Sequence, residues 1–368
     1  MKNLPIISYN GNIEEITENK KTPHYFAAAN SKDGFVSYFK NVFGGDDIKR
    51  LYILLGGPGS GKSTMMKRVA DISEKEGNTT ERIHCSSSPY SLDGVIIKEK
   101  GIAVIDGTNP HTYDASYPGV RETVIDPGIA WDTKKLYEKK GEIFELTSRK
   151  KSSYRKAYLY LRAAGLISDE MKEVAKSCVL TEKLLKNAEV QIRGALHGKG
   201  TQFSESIRLQ RGITGQGSVY FESLARSAEK RILVKDVHGI SEIYFSYLYK
   251  EAKRNGLNGT VSYSPEDRSV IDGILFEDAS VCFSLYCNEN ECDKIINCER
   301  FEDKSAFSDV KQKYAFAARC KNALEAQAYS ALSDAAKYHE EIEKVYAPCT
   351  DYSITERLTD ELCEMIFT

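Results

Sequence analysis

An α/β fold built as two tandem units, each a parallel sheet with a helical extension, is predicted by three observations. Residues 51–55, Leu-Tyr-Ile-Leu-Leu, form a short apolar run that enters a glycine-rich turn and then a helix-compatible stretch from Thr64 to Glu76. Strand-like runs alternate with helical stretches, the pattern of a parallel sheet covered on both faces. Short motifs of the first half also return in the second half, in the same order, at an offset of about 180 residues.

Taken in order, the first ~20 residues lack periodicity and read as a loose arm. Strands are expected near 51–55, 82–85 and 102–105. The helix after the glycine-rich turn places Met65, Met66, Val69, Ala70 and Ile72 on one apolar face. Residues 148–196 are dominated by Ala, Leu, Lys and Glu and read as helical, as do residues 305–344 in the second half. Residues 197–217 hold Gly198, Gly200, Gly212, Gly215 and Gly217 and mark the expected junction. The division is therefore 1–200 and 205–368.

The repeat rests on ordered echoes. Tyr38-Phe39 returns as Tyr220-Phe221, Lys49-Arg50 as Lys230-Arg231, and Ser88-Pro89 as Ser264-Pro265. Asp93-Gly94 returns as Asp272-Gly273, the strand from Gly101 as that from Ser280, and Val124-Ile125-Asp126 as Ile295-Ile296-Asn297. Chance matches would not keep that order.

The glycine-rich turn is Gly56-Gly57-Pro58-Gly59-Ser60-Gly61-Lys62-Ser63-Thr64. This is the phosphate-binding P-loop pattern, set between a strand and a helix as the pattern requires. The glycines let successive N–H groups turn toward phosphate oxygens, and the helix N-terminus adds its positive end. Lys62 would neutralise the outer phosphates, and the Ser63 hydroxyl would ligate Mg²⁺. Ile102-Ala103-Val104-Ile105-Asp106 reads as a strand ending in the second Mg²⁺ partner, Asp106. Thr108 and His111 follow in the next loop. His111 is a candidate to orient a nucleophile or sense the terminal phosphate, with a plain loop hydrogen bond as the other reading. Ser86, Ser87 and Ser88 also end a strand. Arg121, Arg149, Arg155 and Arg162 are candidates for an extra cation, and the run from Ser148 to Lys156 reads as opening a helix as a lid or as a solvated face. In the second half, His238-Gly239-Ile240-Ser241-Glu242-Ile243-Tyr244 stands where the loop should be, and Asp106 is matched by Ser284 or Leu285. One half is expected to bind nucleotide and the other to have kept only the fold. The Asn-Lys-x-Asp signature of guanine readers is absent, which favours ATP.

Composition sets the outer bounds. The chain has 368 residues, 41% hydrophobic and 28% charged, with 51 Lys plus Arg against 53 Asp plus Glu. That balance gives no electrostatic case for nucleic acid. No apolar run approaches the ~20 residues that span a bilayer, so no membrane is expected. The start lacks the apolar core of a signal peptide, and the nine cysteines fit no small disulfide scaffold. A cytoplasmic chain with reduced thiols is expected. Cys282, Cys287, Cys292 and Cys298 lack the tight pairing of structural zinc sites.

His24-Tyr25-Phe26-Ala27, Gly34-Phe35, Ile83-His84-Cys85-Ser86-Ser87, Ser91-Leu92-Asp93-Gly94-Val95-Ile96-Ile97 and Asp106-Gly107-Thr108-Asn109-Pro110-His111 together resemble a family of bacterial P-loop ATPases common in Firmicutes. The resemblance covers nearly the whole chain. It implies two tandem P-loop repeats and ATP binding, without supplying a substrate. The family usually shows an intact loop in both repeats, and this chain departs from that in the second. The expectation is a Mg²⁺-dependent ATPase with one site, built on Lys62, Ser63 and Asp106. A small-molecule or nucleoside kinase, and a nucleotide-gated interaction module acting through a protein partner, are the alternatives.

Overall fold

The computed structural model describes residues 21–195 and 203–368. The expected N-terminal arm and residues 197–202 of the expected junction lie outside the described residues. The first unit opens with β1 (His24–Phe26), the hairpin of β2 (Ala28–Ser31) and β3 (Gly34–Ser37), and α1 (Phe39–Phe43). β4 (Arg50–Leu54), α2 (Lys62–Lys75), β5 (Thr80–His84), β6 (Leu92–Ile97), β7 (Ile102–Asp106) and β8 (Glu122–Ile125) follow. Its extension is α3 (Thr133–Glu138), α4 (Lys140–Ser177) and α5 (Thr181–Ile192).

The second unit repeats the plan with β9 (Glu205–Ile207), the hairpin of β10 (Arg211–Thr214) and β11 (Gly217–Tyr220), and α6 (Ser223–Arg226). Then come β12 (Lys230–Lys235), α7 (Ser241–Asn255), β13 (Gly259–Tyr263), β14 (Ile271–Phe276), β15 (Val281–Ser284) and β16 (Lys294–Asn297). The extension is α8 (Lys304–Tyr346) and α9 (Tyr352–Phe367). The glycines at 212, 215 and 217 thus serve the β10–β11 hairpin. Among the described residues no helix is long and apolar enough to cross a membrane.

The strand orders are β1-β5-β6-β7-β4-β8 and β16-β12-β15-β14-β13-β9, so each strand has a counterpart. The sheets are mixed, which corrects the expectation of parallel ones. β4 runs parallel to β7 and β8, but β6 runs antiparallel to both β5 and β7, and β14 does the same between β13 and β15. Short connections decide this. Residues 85–91 and 98–101 are too few for a parallel crossover, which needs a dozen or more residues. Gly101 makes the second turn at φ +61°, and Ser280 takes the same place at φ +49°.

Register refines the repeat. Tyr38 N–H donates to Ala27 O at 2.8 Å, and Phe221 N–H donates to Gln210 O at 2.8 Å. Ala27 therefore matches Gln210, and Tyr38 matches Phe221 rather than Tyr220. Cys85 N–H to Ser91 O repeats as Ser264 N–H to Val270 O, so Ser264 matches Cys85, not Ser88. Asp272 matches Asp93, and Leu285 stands at the place of Asp106.

Alternation along β4 divides two cores. Leu51 and Ile53 pack with Phe39, Val42 and Phe43, and with Leu275 and Cys282 of the second unit. Tyr52 and Leu54 pack with Met65, Met66 and Val69 under Leu362 and Ile366 of α9. Each such aliphatic side chain contributes about 1.5–3 kcal/mol on burial. The extensions are exchanged: α9 covers the first sheet, while Leu184, Ala188 and Ile192 of α5 pack on Ile232, Val234 and Phe245 of the second. α4 and α8 lie antiparallel, with Lys150 meeting His339 and Glu170 meeting Lys313. Ala157 with Leu161 of α4, and Ala328 with Ala331 of α8, let the pair approach closely. With 43 residues, α8 is about 64 Å long, enough to carry the second half across to the first unit.

The units meet about an approximate two-fold relation. Phe26 and Leu209 hold equivalent places and exchange backbone bonds of 2.9 and 3.1 Å. Beside them Arg208 Nε donates to the buried Glu81 at 2.6 Å, and Lys98 completes the group at 2.8 Å. Despite burial, these cations hold the Glu81 carboxyl below its ordinary range.

Candidate functional site

The Leu55–Gly61 loop leaves the carboxyl end of β4 and turns into α2. Gly59 and Gly61 take φ +71° and +85°, which L side chains rarely adopt. Gly61 caps α2, where a Cβ would lie 2.7 Å from Thr355 Cγ2. A Cβ on Gly57 would lie 3.0 Å from the Trp131 ring. The loop is thus a curl that only glycine can make. Ser60 is buried and donates to Gly57 O at 2.9 Å, which ties the curl together. Pro58 is half-buried, and Thr64 is exposed on α2.

The Lys62 ammonium lies inside the curl. It donates to the carbonyl oxygens of Gly56 and Gly57 and sits 3.7 Å from Asp106. Asp106 Oδ1 accepts from Thr108 N–H at 2.8 Å, and the Thr108 hydroxyl donates to Gly56 O at 2.8 Å. Ser63 Oγ accepts from Leu92 N–H at 3.0 Å, which ties the start of α2 to β6. Lys62, Ser63, Asp106 and Thr108 are therefore brought together. His111 is not aimed at the curl. Its Nε2 faces Asp93 at 3.3 Å, and its ring stacks on Phe39 with centroids 4.8 Å apart. Ser87 pairs with Tyr154 of α4 at 2.8 Å.

The expected arginines are elsewhere. Arg121 donates to the carbonyls of Phe43, Gly45 and Ile48 at the opposite ends of the strands. Arg149 pairs with Glu145, and Arg155 and Arg162 are exposed. The basic run lies inside α4, not at a helix start, because the helix begins at Lys140. Of that run Lys150 turns inward, 3.3 Å from His339 Nδ1. Burial, then Lys150 and Lys62, push His339 down to about 4. Glu343, one turn further along α8, lies against Gly59, and burial raises its carboxyl. A Cβ on Gly59 would also lie 3.4 Å from Tyr346 Cβ. The second half of the chain therefore furnishes a wall of the first unit's site. Only the basic run hinted at this wall in the sequence, since α8 reaches the loop through tertiary packing.

The second unit's loop is closed from within. Asp236 Oδ1 accepts from the N–H groups of His238, Gly239 and Ile240 at 3.0–3.2 Å, and Oδ2 accepts from Ser241 N–H at 2.7 Å. A carboxylate of the chain thus fills the anion cradle at the start of α7. His238 is engaged by Glu302 and packs on Phe307, with centroids 4.3 Å apart. Lys172 and Lys176 of α4 pair with Glu242.

No protein-family model, no curated protein and no solved structure matches this chain.

Proposed function

We propose that the first unit is a P-loop nucleoside triphosphatase that binds ATP with Mg²⁺ on the Gly56–Ser63 loop and hydrolyses it at that single site. The observation that carries this reading is the convergence of a glycine-only curl, Lys62, Ser63 and Asp106 at the carboxyl ends of β4 and β7. Ligands of open α/β sheets bind at those ends. The donor set fits the cofactor: a hydroxyl and a carboxylate are hard oxygen ligands of the kind Mg²⁺ takes. Ser63 and Asp106 would hold the ion, and it would supply charge neutralisation at the terminal phosphates. Lys62 exchanges its carbonyl acceptors for phosphate oxygens, a charge-assisted and stronger contact. Glu343, which lies against Gly59, moves aside as the phosphates enter. The Thr108 hydroxyl stays on the Gly56 carbonyl and keeps the loop entrance fixed.

One observation favours a second reading, the nucleotide-gated module. The loop touches Glu343 and Tyr346 of α8 and Thr355 of α9. Nucleotide that displaces Glu343 would bias the α4–α8 pair, a coupling of binding to packing.

Trp131, the single tryptophan of the chain, packs against Gly57 and reports on the loop. The test is ATP titration by Trp131 fluorescence, beside steady-state phosphate release with Mg²⁺, for wild type and Lys62→Ala. Saturable binding with turnover, both lost in the variant, supports the hydrolase. Binding without turnover supports the module. Absence of any nucleotide response in wild type overturns both.

A further inference from the structure

We propose that Cys85, Asp93 and His111 form a binding site for a borderline divalent cation of the Zn²⁺ class, separate from the Mg²⁺ that the phosphate loop would hold. The three residues come from three places in the fold. Cys85 follows β5, Asp93 lies in β6, and His111 lies in the loop after β7. One ligand atom from each, thiol, carboxylate and imidazole, lies within 4.8 Å of the others. A tetrahedral zinc centre separates its ligand atoms by ~3.3–3.8 Å, given bonds of ~2.0–2.3 Å. His111 Nε2 and Asp93 Oδ2 already stand 3.3 Å apart. Small side-chain rotations therefore close the set.

Burial makes the trio a site rather than a chance cluster. Asp93 is 4% exposed and His111 7%. Asp93 Oδ2, 3.3 Å from His111 Nε2, has no hydrogen-bond partner, nor has His111 Nδ1 or the adjacent buried Ser86 hydroxyl. Buried polar atoms left unpaired cost about 1–3 kcal/mol each, and a cation on Asp93 Oδ2 would remove its share. The surroundings suit a thiolate–imidazole centre. Ser87 and Ser88 follow Cys85 directly and bring polar backbone beside its sulfur, where outer groups tune metal-bound thiolates. Phe39 and Phe35 fix the His111 ring from face and edge. Sulfur and nitrogen donors select Zn²⁺ over Mg²⁺ or Ca²⁺. Three protein ligands leave a fourth position open, the arrangement of metal sites that take water or substrate. Asp93 also senses the charges of Lys62 and Asp106, which places the trio beside the phosphate loop.

The second unit supplies an internal contrast. Asp272 is equally buried at the place of Asp93, but Ser264 replaces Cys85. Gln210, where the first unit has Ala27, lies 3.5 Å from Asp272 Oδ1, and Ser284 holds the Gln210 amide oxygen at 2.8 Å. Asp272 Oδ2 is left unpartnered as Asp93 Oδ2 is, so what the second unit lacks is the thiol, Ser264 standing at the place of Cys85.

The test uses the full chain without an affinity tag, loaded with Zn²⁺, dialysed against metal-free buffer and assayed for metal by mass spectrometry. Co²⁺ substitution then reports the ligands by absorption. The expected result is a single retained ion per chain and a thiolate-to-cobalt band in the near ultraviolet. Cys85→Ser removes the band, and His111→Gln and Asp93→Asn weaken retention by roughly tenfold or more. Lys62→Ala retains the ion whatever it does to nucleotide binding, so this site and the proposed phosphate site fail independently. Circular dichroism selects the variants that fold. A wild-type chain that retains no ion overturns the proposal. So do folded Cys85→Ser and His111→Gln variants that retain as much as wild type.

Discussion

In the first unit the segment between strand and helix runs from Leu55 to Gly61, and in the second it runs from Asp236 to Ile240. Both leave the same strand of matching sheets, and both turn into a helix through a glycine at φ +85°, Gly61 and Gly239. The longer segment curls around the Lys62 ammonium and has no carboxylate of its own. The shorter one carries Asp236, whose two oxygens take four backbone N–H groups. A helix start is an anion site in either case. What differs is whether the chain supplies the anion. In the second unit Asp236 supplies it, and in the first no carboxylate of the loop does.

The largest expected effect breaks the junction that both units share. Arg208→Met leaves Glu81 buried with Lys98 as its remaining cation, and should cost about 3–5 kcal/mol in urea unfolding. A loss below 1 kcal/mol would mean that Glu81 is protonated or solvated. Next in size, Asp236→Ala deprives four N–H groups of a charged acceptor and should destabilise by about 1–3 kcal/mol. If its unfolding midpoint equals wild type, the carboxylate is not what closes the second loop. A finer comparison sets Gly61→Ala against Gly239→Ala. Both demand a left-handed residue, at about 1–2 kcal/mol each. Gly61→Ala should cost more, because its Cβ meets buried Thr355 at 2.7 Å whereas that of Gly239 meets the flexible Lys172 at 3.3 Å. Equal melting temperatures for the two variants would refute the Thr355 contact. The smallest effect is Ser280→Gly. Relief of φ +49° is offset by loss of the Ser280 hydroxyl bond to Glu229 N–H at 2.9 Å, so stability should shift by less than about 1 kcal/mol.

Much of the α/β plan was legible. The run 51–55, the glycine turn and the periodic Met65–Ile72 face gave β4, the loop and α2, and the echoes gave the two similar units. β6 was missed although Val95, Ile96 and Ile97 form an apolar run, because strands between helices were read as parallel. The short links on either side, ending in Gly101, were the available signal for a hairpin. Three echoes slipped in register, Tyr220 and Arg231 by one residue and Ser264 by three, since identity of type does not fix hydrogen-bond partners. α9 went unread although Ile354, Leu358, Leu362 and Ile366 recur every four residues, and it acquires its role by covering Tyr52 and Leu54.

The sequence by itself determined the local devices. These are the glycine curl with Lys62 and Ser63, the strand ending in Asp106, the long helices and the loss of that curl in the second half. Each depends on neighbours along the chain, through backbone conformation and periodic burial. Tertiary structure alone decided the rest. It exchanged α5 and α9 between the sheets and leaned Glu343 and His339 over the first loop. It turned Asp236 onto the N–H groups at the start of α7, and it gathered Cys85, Asp93 and His111 from three strand ends into one cluster. Those groups meet because sheet order and helix crossing bring distant residues together, and sequence spacing does not encode that geometry.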